Sequence, residues 1–136
     1  MKPTKLILVL FMAICLFGVG QLVRAFPVGE TLSVGAAEKR WGRQTYIPEK
    51  FKAGSPDERA KMAVDLIQKR SFLRKPVTDV FATLGDADGH FFSDLIPAYL
   101  LNEGWKNGTD TWQLVFMLKD DKVSEVIIQK NCCNSK

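Results

Sequence analysis

The chain has one histidine, His90, and three cysteines among its 136 residues. A single histidine excludes a paired-histidine zinc helix, and no glycine-rich phosphate loop or nucleophile elbow is present. A lone histidine beside Phe91 is more often a packed or surface residue than a catalyst. Asp86, Asp88 and His90 are spaced like a metal loop at a glance, but a calcium loop needs more oxygen ligands and a distant glutamate, and these are absent. The sequence therefore predicts no catalytic residue, no metal and no cofactor. It also lacks a true basic excess. The formal charge of +4 includes Lys2, Lys5 and Arg24, which sit in a 25-residue leader without an acid; beyond Ala25 there are 16 basic against 15 acidic residues. A nearly neutral body gives no footprint for nucleic acid.

The cysteines are few and awkwardly placed. Cys15 lies in the leader, and Ile14 stands before it where a lipidation site expects a small residue. Cys132 and Cys133 are adjacent near the end of the chain. A bond between neighbours is strained, because bridged cysteines normally sit further apart. Cys132 and Cys133 are candidates for a disulfide to another chain or for free thiols in an oxidising compartment. Asn107-Gly108-Thr109 is a glycosylation sequon, meaningful only in a host that glycosylates exported proteins.

What is present begins with that leader. Lys2 and Lys5 precede an uncharged apolar run over residues 6–19, whose end is weakened by Gly18 and Gly20 before a short polar tail from Gln21 to the close Val23-Arg24-Ala25. A positive start, an apolar middle and small residues before a break predict a secretory signal over residues 1–25, cleaved after Ala25. The rival reading is an uncleaved membrane anchor, since residues 6–23 reach the lower limit of a bilayer span. Either way the lysines keep the N-terminus inside, so the chain from Phe26 is expected outside the cytoplasm, periplasmic or membrane-associated.

Residues 26–53 contain Pro27, Gly29, Gly35, Gly42 and Pro48 and hold no sustained period. They read as a linker, mostly extended. Trp41, Tyr46, Ile47 and Phe51 are too apolar for a free tail, so residues 41–51 are expected to pack on the domain or to dock a partner.

The domain is expected over residues 54–131, with 132–136 a tail. Ser55-Pro56-Asp57-Glu58 is a capped helix start, and Met62, Ala63, Leu66 and Ile67 follow as one apolar stripe. Pro76 opens a second helix with Val77, Val80, Phe81 and Leu84 on one face, ending at Gly85. Roughly residues 72–74 join the two. Residues 91–101 are apolar with Pro97 inside, which predicts an edge strand or an irregular one. Residues 111–119 are the clearest strand; Asp120-Asp121-Lys122 is a tight turn, and residues 123–130 return. The expected fold is α+β, in the order α-α-β-β-β: two helices on a three-stranded antiparallel sheet.

That sheet is apolar on both sides. Trp112, Leu114, Phe116 and Leu118 alternate onto one face, Val115 and Met117 onto the other. In the last strand Val123 and Ile127 are expected on one face and Val126 and Ile128 on the other. Two helices cover one face only. The second is expected to be covered by residues 41–51, a dimer mate or a partner. Val115, Met117, Trp41 and Tyr46 are therefore the candidate partner-binding residues, and a homodimer is allowed.

Arg59, Met62 and Asp65-Leu66-Ile67, then Val80 and Leu84-Gly85-Asp86-Ala87-Asp88, then Asp121-Lys122-Val123, occur in an order and spacing that resemble the SmpA/OmlA, BamE-like family of small bacterial envelope proteins, its uncharacterised branch above all. The resemblance covers roughly residues 55–129. Ala87 stands where that family usually has proline, and Asp121 replaces its hairpin glycine. The resemblance implies a non-enzymatic module that binds other envelope proteins, as a scaffold or an accessory to membrane-protein assembly or envelope integrity. The alternative is a secreted or anchored inhibitor or immunity-type protein that blocks an enzyme. A small enzyme or ligand carrier would need a polar pocket that the sequence does not announce.

Overall fold

The computed structural model describes residues 29–131. The leader with its cleavage point at Ala25, Cys15, Cys132 and Cys133 lie outside the described residues. In chain order the elements are β1 (Thr31–Leu32), α1 (Val34–Trp41), α2 (Pro48–Ala53), α3 (Pro56–Lys69), α4 (Val77–Leu84), β2 (Ala98–Leu100), a 3-10 turn (Gly104–Asn107), β3 (Trp112–Lys119) and β4 (Lys122–Lys130). The α+β class holds. The detail differs from expectation, because residues 31–53 contribute a strand and two helices that no sequence period announced.

Each addition has a local cause. Ser33 caps α1 by accepting from the Ala36 N–H at 3.2 Å, and Gly42 ends it at φ 78°. Pro48 starts α2 in the first turn, where its missing N–H costs nothing. Helices of eight and six residues are too short to stand alone. They exist here because Ala37 and Phe51 are buried against the rest of the domain. The expected caps of α3 are present: Ser55 accepts from the Glu58 N–H, and the Glu58 carboxylate accepts from the Ser55 N–H at 2.7 Å. That last bond, with the Ser55 side chain behind it, lowers the Glu58 pKa.

Between α3 and α4 the chain spends residues 70–76, not three. Arg70 takes the left-handed cap at φ 54°, and Phe72 drops into the core. The segment then pairs with the start of β4: Arg74 N–H donates to Val123 O at 2.8 Å, Val123 N–H to Lys75 O at 2.9 Å, and Val77 N–H to Asp121 O at 2.9 Å.

The sheet is antiparallel in the order β1-β4-β3-β2. Pro97 sits just before β2, and β2 is an edge strand, as a proline there requires. Asp120 and Asp121 both have positive φ, 53° and 60°, the backbone of a two-residue hairpin turn whose twist suits the strands it joins. One register shift changes the faces. Met117 pairs with Glu125 but Leu118 pairs with Val123, leaving Ser124 as the extra residue of a bulge. Val123 is thereby turned onto the helix side with Val126 and Ile128, and Ile127 alone joins Val115 and Met117. The expected pairing of Val123 with Ile127 on one face fails because alternation was counted through the bulge.

The main core lies between the helices and the sheet. Five aromatic rings form a closed circuit in it: Tyr46–Phe51 at 6.1 Å, Phe51–Tyr99 at 5.8 Å, Tyr99–Phe116 at 5.9 Å, Phe116–Phe72 at 5.4 Å and Phe72–Tyr46 at 6.3 Å. All five contacts are edge to face, the geometry that the ring quadrupole favours. The circuit draws one ring each from α2, β2, β3 and the connections before α2 and after α3.

Asp65 on α3 locks the chain leading to α2. Its carboxylate accepts from the Tyr46 N–H at 2.7 Å, from Lys69 Nζ at 2.7 Å and from Arg43 Nη2 at 3.4 Å. The Lys69 bond first, then the Tyr46 bond, hold its pKa below the usual aspartate range, against an opposing effect of burial. A carboxyl with a depressed folded pKa binds its proton less readily folded than unfolded. Its stabilisation is whole above the ordinary aspartate value of about 4 and is lost as pH falls below it. Asp65→Asn is expected to lower the thermal midpoint at pH 7, with the gap to the parent narrowing between pH 4 and pH 2. An equal gap at both ends of that range would show that the charge of Asp65 contributes nothing.

Candidate functional site

The second face of the sheet carries Val115, Met117 and Ile127 with Ala98 of β2. Its cover comes from residues 89–97, not from residues 41–51. Phe91 is buried over Val115 and Ala98, and Ile96 packs beside it. Gly89 makes this close approach possible. Its N–H donates to Ala98 O at 2.8 Å, and a Cβ there would fall 2.5 Å from Gln113 Oε1 and 2.9 Å from Ala98 O. Gln113, itself buried, accepts from the His90 N–H at 3.0 Å and donates through Nε2 to His90 O at 2.7 Å and to Gln129 Oε1 at 2.9 Å. A buried amide that satisfies the loop backbone on both sides fixes the loop to the sheet.

Beyond Phe91 the loop turns outward. Phe92 adopts φ 56°, a left-handed backbone that a bulky residue rarely takes. Ser93 N–H donates to Phe91 O at 2.6 Å, the Ser93 hydroxyl accepts from Leu95 N–H at 3.1 Å, and Ser93 O accepts from Ile96 N–H at 3.1 Å. The Phe92 ring stands edge to face on Phe91 at 4.7 Å. The turn presents Phe92 at 74% exposure and Leu95 at 76%, with the Asp94 side chain between them 99% exposed. Met117 and Ile127 lie half-buried on the same side of the sheet. A groove of about 430 Å³ runs from Gly29 along Ile127 and Met117 to Val126 and Ile67.

The expected binding residues do not form one surface. Val115 and Met117 share the second face, but Val115 is fully buried under Phe91. Tyr46 is buried in the helix-side core, and Trp41 packs against that same core. The Arg40 guanidinium lies 5.7 Å from both the Trp41 and the Trp112 ring. The Tyr46 hydroxyl has no hydrogen-bond partner among the described residues, and burial, with Glu49 adding to it, pushes its pKa up to about 12. The expectation that residues 41–51 cover the second sheet face, which made Trp41 and Tyr46 binding candidates, fails: Trp41 ends α1 and Tyr46 leads into α2, and both side chains pack on the helix side of the sheet.

The loop's titratable groups do not converge. Asp88 pairs with Arg59 at 2.6 Å, and His90 Nδ1 lies 3.4 Å from Asp94 Oδ1. No group of three or more histidine, cysteine or acidic side chains able to hold a metal occurs among the described residues. A separate groove of about 570 Å³, lined by Ile47, Lys50 and Met62, contains Glu58, whose pKa shift belongs to helix capping. Phe92 and Leu95 went unnoticed in the sequence. The available signal was an apolar doublet set between Gly89 and Pro97, in a stretch with neither helical nor strand period. Comparison with family models, curated proteins and solved structures finds no match to this chain.

Proposed function

We propose that this chain is a non-enzymatic protein-binding module of the cell envelope, of the BamE-like kind, delivered outside the cytoplasm by its N-terminal hydrophobic segment. The observation that carries the reading is the pair of exposed side chains Phe92 and Leu95, set on a hydrogen-bonded turn beside half-buried Met117 and Ile127. Large apolar groups held out together on an ordered loop mark contact surfaces, whereas single exposed residues do not. Aromatic anchors of this kind contribute most of the energy of many interfaces.

The test is in-cell crosslinking of the tagged full chain followed by recovery from native envelopes. Phe92→Asp and Leu95→Asp are expected to abolish recovery of a specific partner. Because both side chains are exposed, each should leave folding stability within about 0.5 kcal/mol of the parent. Met117→Asp is the companion probe of the sheet face; Val115→Asp is unsuitable, since it places a charge in a closed core. Recovery of bait alone, or of a homodimer insensitive to these changes, overturns the proposal.

A further inference from the structure

Charge is not spread evenly along this chain. Between Lys75 and Lys106 there is no lysine or arginine, and Asp79, Asp86, Asp88, Asp94 and Glu103 all fall there. The Phe92–Leu95 turn lies in the middle of that acidic stretch. Arg59 from α3 neutralises Asp88, and the aliphatic part of Lys52 runs along Gly85. Lys106 pairs with Glu103 at 2.7 Å, whereas Asp94, set between Phe92 and Leu95 on the turn, is almost fully exposed with the exposed His90 imidazole 3.4 Å away, so the two apolar side chains flank a solvent-facing carboxylate.

We infer that the Phe92–Leu95 turn inserts as a plug into an apolar pocket with a cationic rim on a partner protein. This rests on the protein-binding reading above and names the chemistry of the partner. A turn that is braced before it binds gives up little freedom on docking, which favours a preformed plug over a segment that folds on contact. Carboxylates at the rim of an apolar anchor select a partner of opposite charge and speed its approach. A bilayer is the poorer fit, because Asp94 would have to enter an interface whose headgroups are commonly anionic.

The experiment places a photo-crosslinking phenylalanine analogue at Phe92, Leu95, Met117 or Trp105 of the full chain, irradiates native envelopes, and compares 50 with 500 mM salt. Trp105 is exposed but lies on the 3-10 turn that follows β2, whereas residues 91–97 precede β2. The expected result is one protein adduct shared by positions 92 and 95 and missing from 105. Its yield should fall by about threefold or more at high salt, and likewise for Asp94→Lys at low salt, as screening of rim charges predicts. Thermal unfolding of each variant confirms that it is folded. A shared adduct indifferent to salt and to Asp94→Lys overturns the cationic rim. An adduct at Met117 alone overturns the plug while leaving the binding reading intact. Lipid adducts at 92 and 95 overturn the plug in favour of a membrane contact, and no adduct at any position overturns both readings.

Discussion

Phe51→Ala is expected to cost about 3–5 kcal/mol, the range for an aromatic side chain removed from a closed core. Domains of this size are stable by roughly 5–15 kcal/mol, so this single change consumes a large part of the margin. Phe51 is fully buried and touches two members of the aromatic circuit, Tyr46 and Tyr99. The Arg59 guanidinium lies 5.8 Å from its ring, and its carbonyl accepts from Arg59 Nε at 3.2 Å. It is also the buried residue of a six-residue helix that has no side-chain cap. Without the ring, α2 keeps only polar ties, chiefly the Arg59 bond to the Phe51 carbonyl, while the chain before it stays held by the Asp65–Tyr46 bond, by Gln44 N–H donating to Lys61 O at 2.8 Å and by the Tyr46 ring on Phe72. Phe51→Leu keeps most of the volume but none of the edge-to-face contacts, and about 1–2 kcal/mol is expected for it. Urea unfolding measures both: the midpoint should fall in the order parent, leucine, alanine with an unchanged slope. An alanine cost below about 1 kcal/mol would mean that α2 is not packed in solution.

Helices α3 and α4 and the β3–β4 hairpin were legible because each carries its own local signal. Ser55-Pro56-Asp57-Glu58 announces a start, Gly85 a stop, and residues 112–118 alternate without interruption. Residues 31–53 were opaque for the opposite reason. Helices α1 and α2 are too short to show a period, and their stability comes from Ala37 and Phe51 being buried by residues far away in sequence. The bulge at Ser124 was equally silent, since one extra residue reverses the face of Val123 without altering composition. The candidate site suffered most. That both faces of the sheet need cover was readable from Val115 and Met117, but which segment supplies it was not. Phe91 turns inward and Phe92 outward because Gln113 holds the loop backbone, a contact across 23 residues. Identical neighbours in sequence gave no hint of opposite fates.

The second large effect concerns the pin between α3 and the start of that loop. Arg59 is buried, its Nη1 donates to Asp88 Oδ2 at 2.6 Å, and Asp88 Oδ1 accepts from the Leu100 N–H at 2.9 Å. One carboxylate thus ties α3 to edge strand β2, while the same arginine reaches the Phe51 carbonyl on α2. The two ends of the pair are not equivalent. Asp88→Ala strands a guanidinium in a low-dielectric site, and breaking a fully buried pair in that way costs about 3–5 kcal/mol. The Asp88 side chain is 40% exposed, so water partly replaces it, and the expected cost falls to about 2–3 kcal/mol. Arg59→Met removes the charge and keeps much of the volume over Phe51; Asp88 is then free to hydrate, and about 1–2 kcal/mol is expected. The double variant should resemble Arg59→Met rather than the sum, because once the arginine is gone the carboxylate has no buried charge to compensate. A full cycle of urea denaturation on the four proteins reads this directly. Additive costs would show that Asp88 acts only through Leu100, and an Asp88→Ala cost below about 0.5 kcal/mol would reduce the pair to an ordinary surface contact. With the expected asymmetry, the loop that carries Phe92 is anchored at its base by charge and at its middle by Gln113. Phe92→Asp can then remove binding without disturbing either anchor.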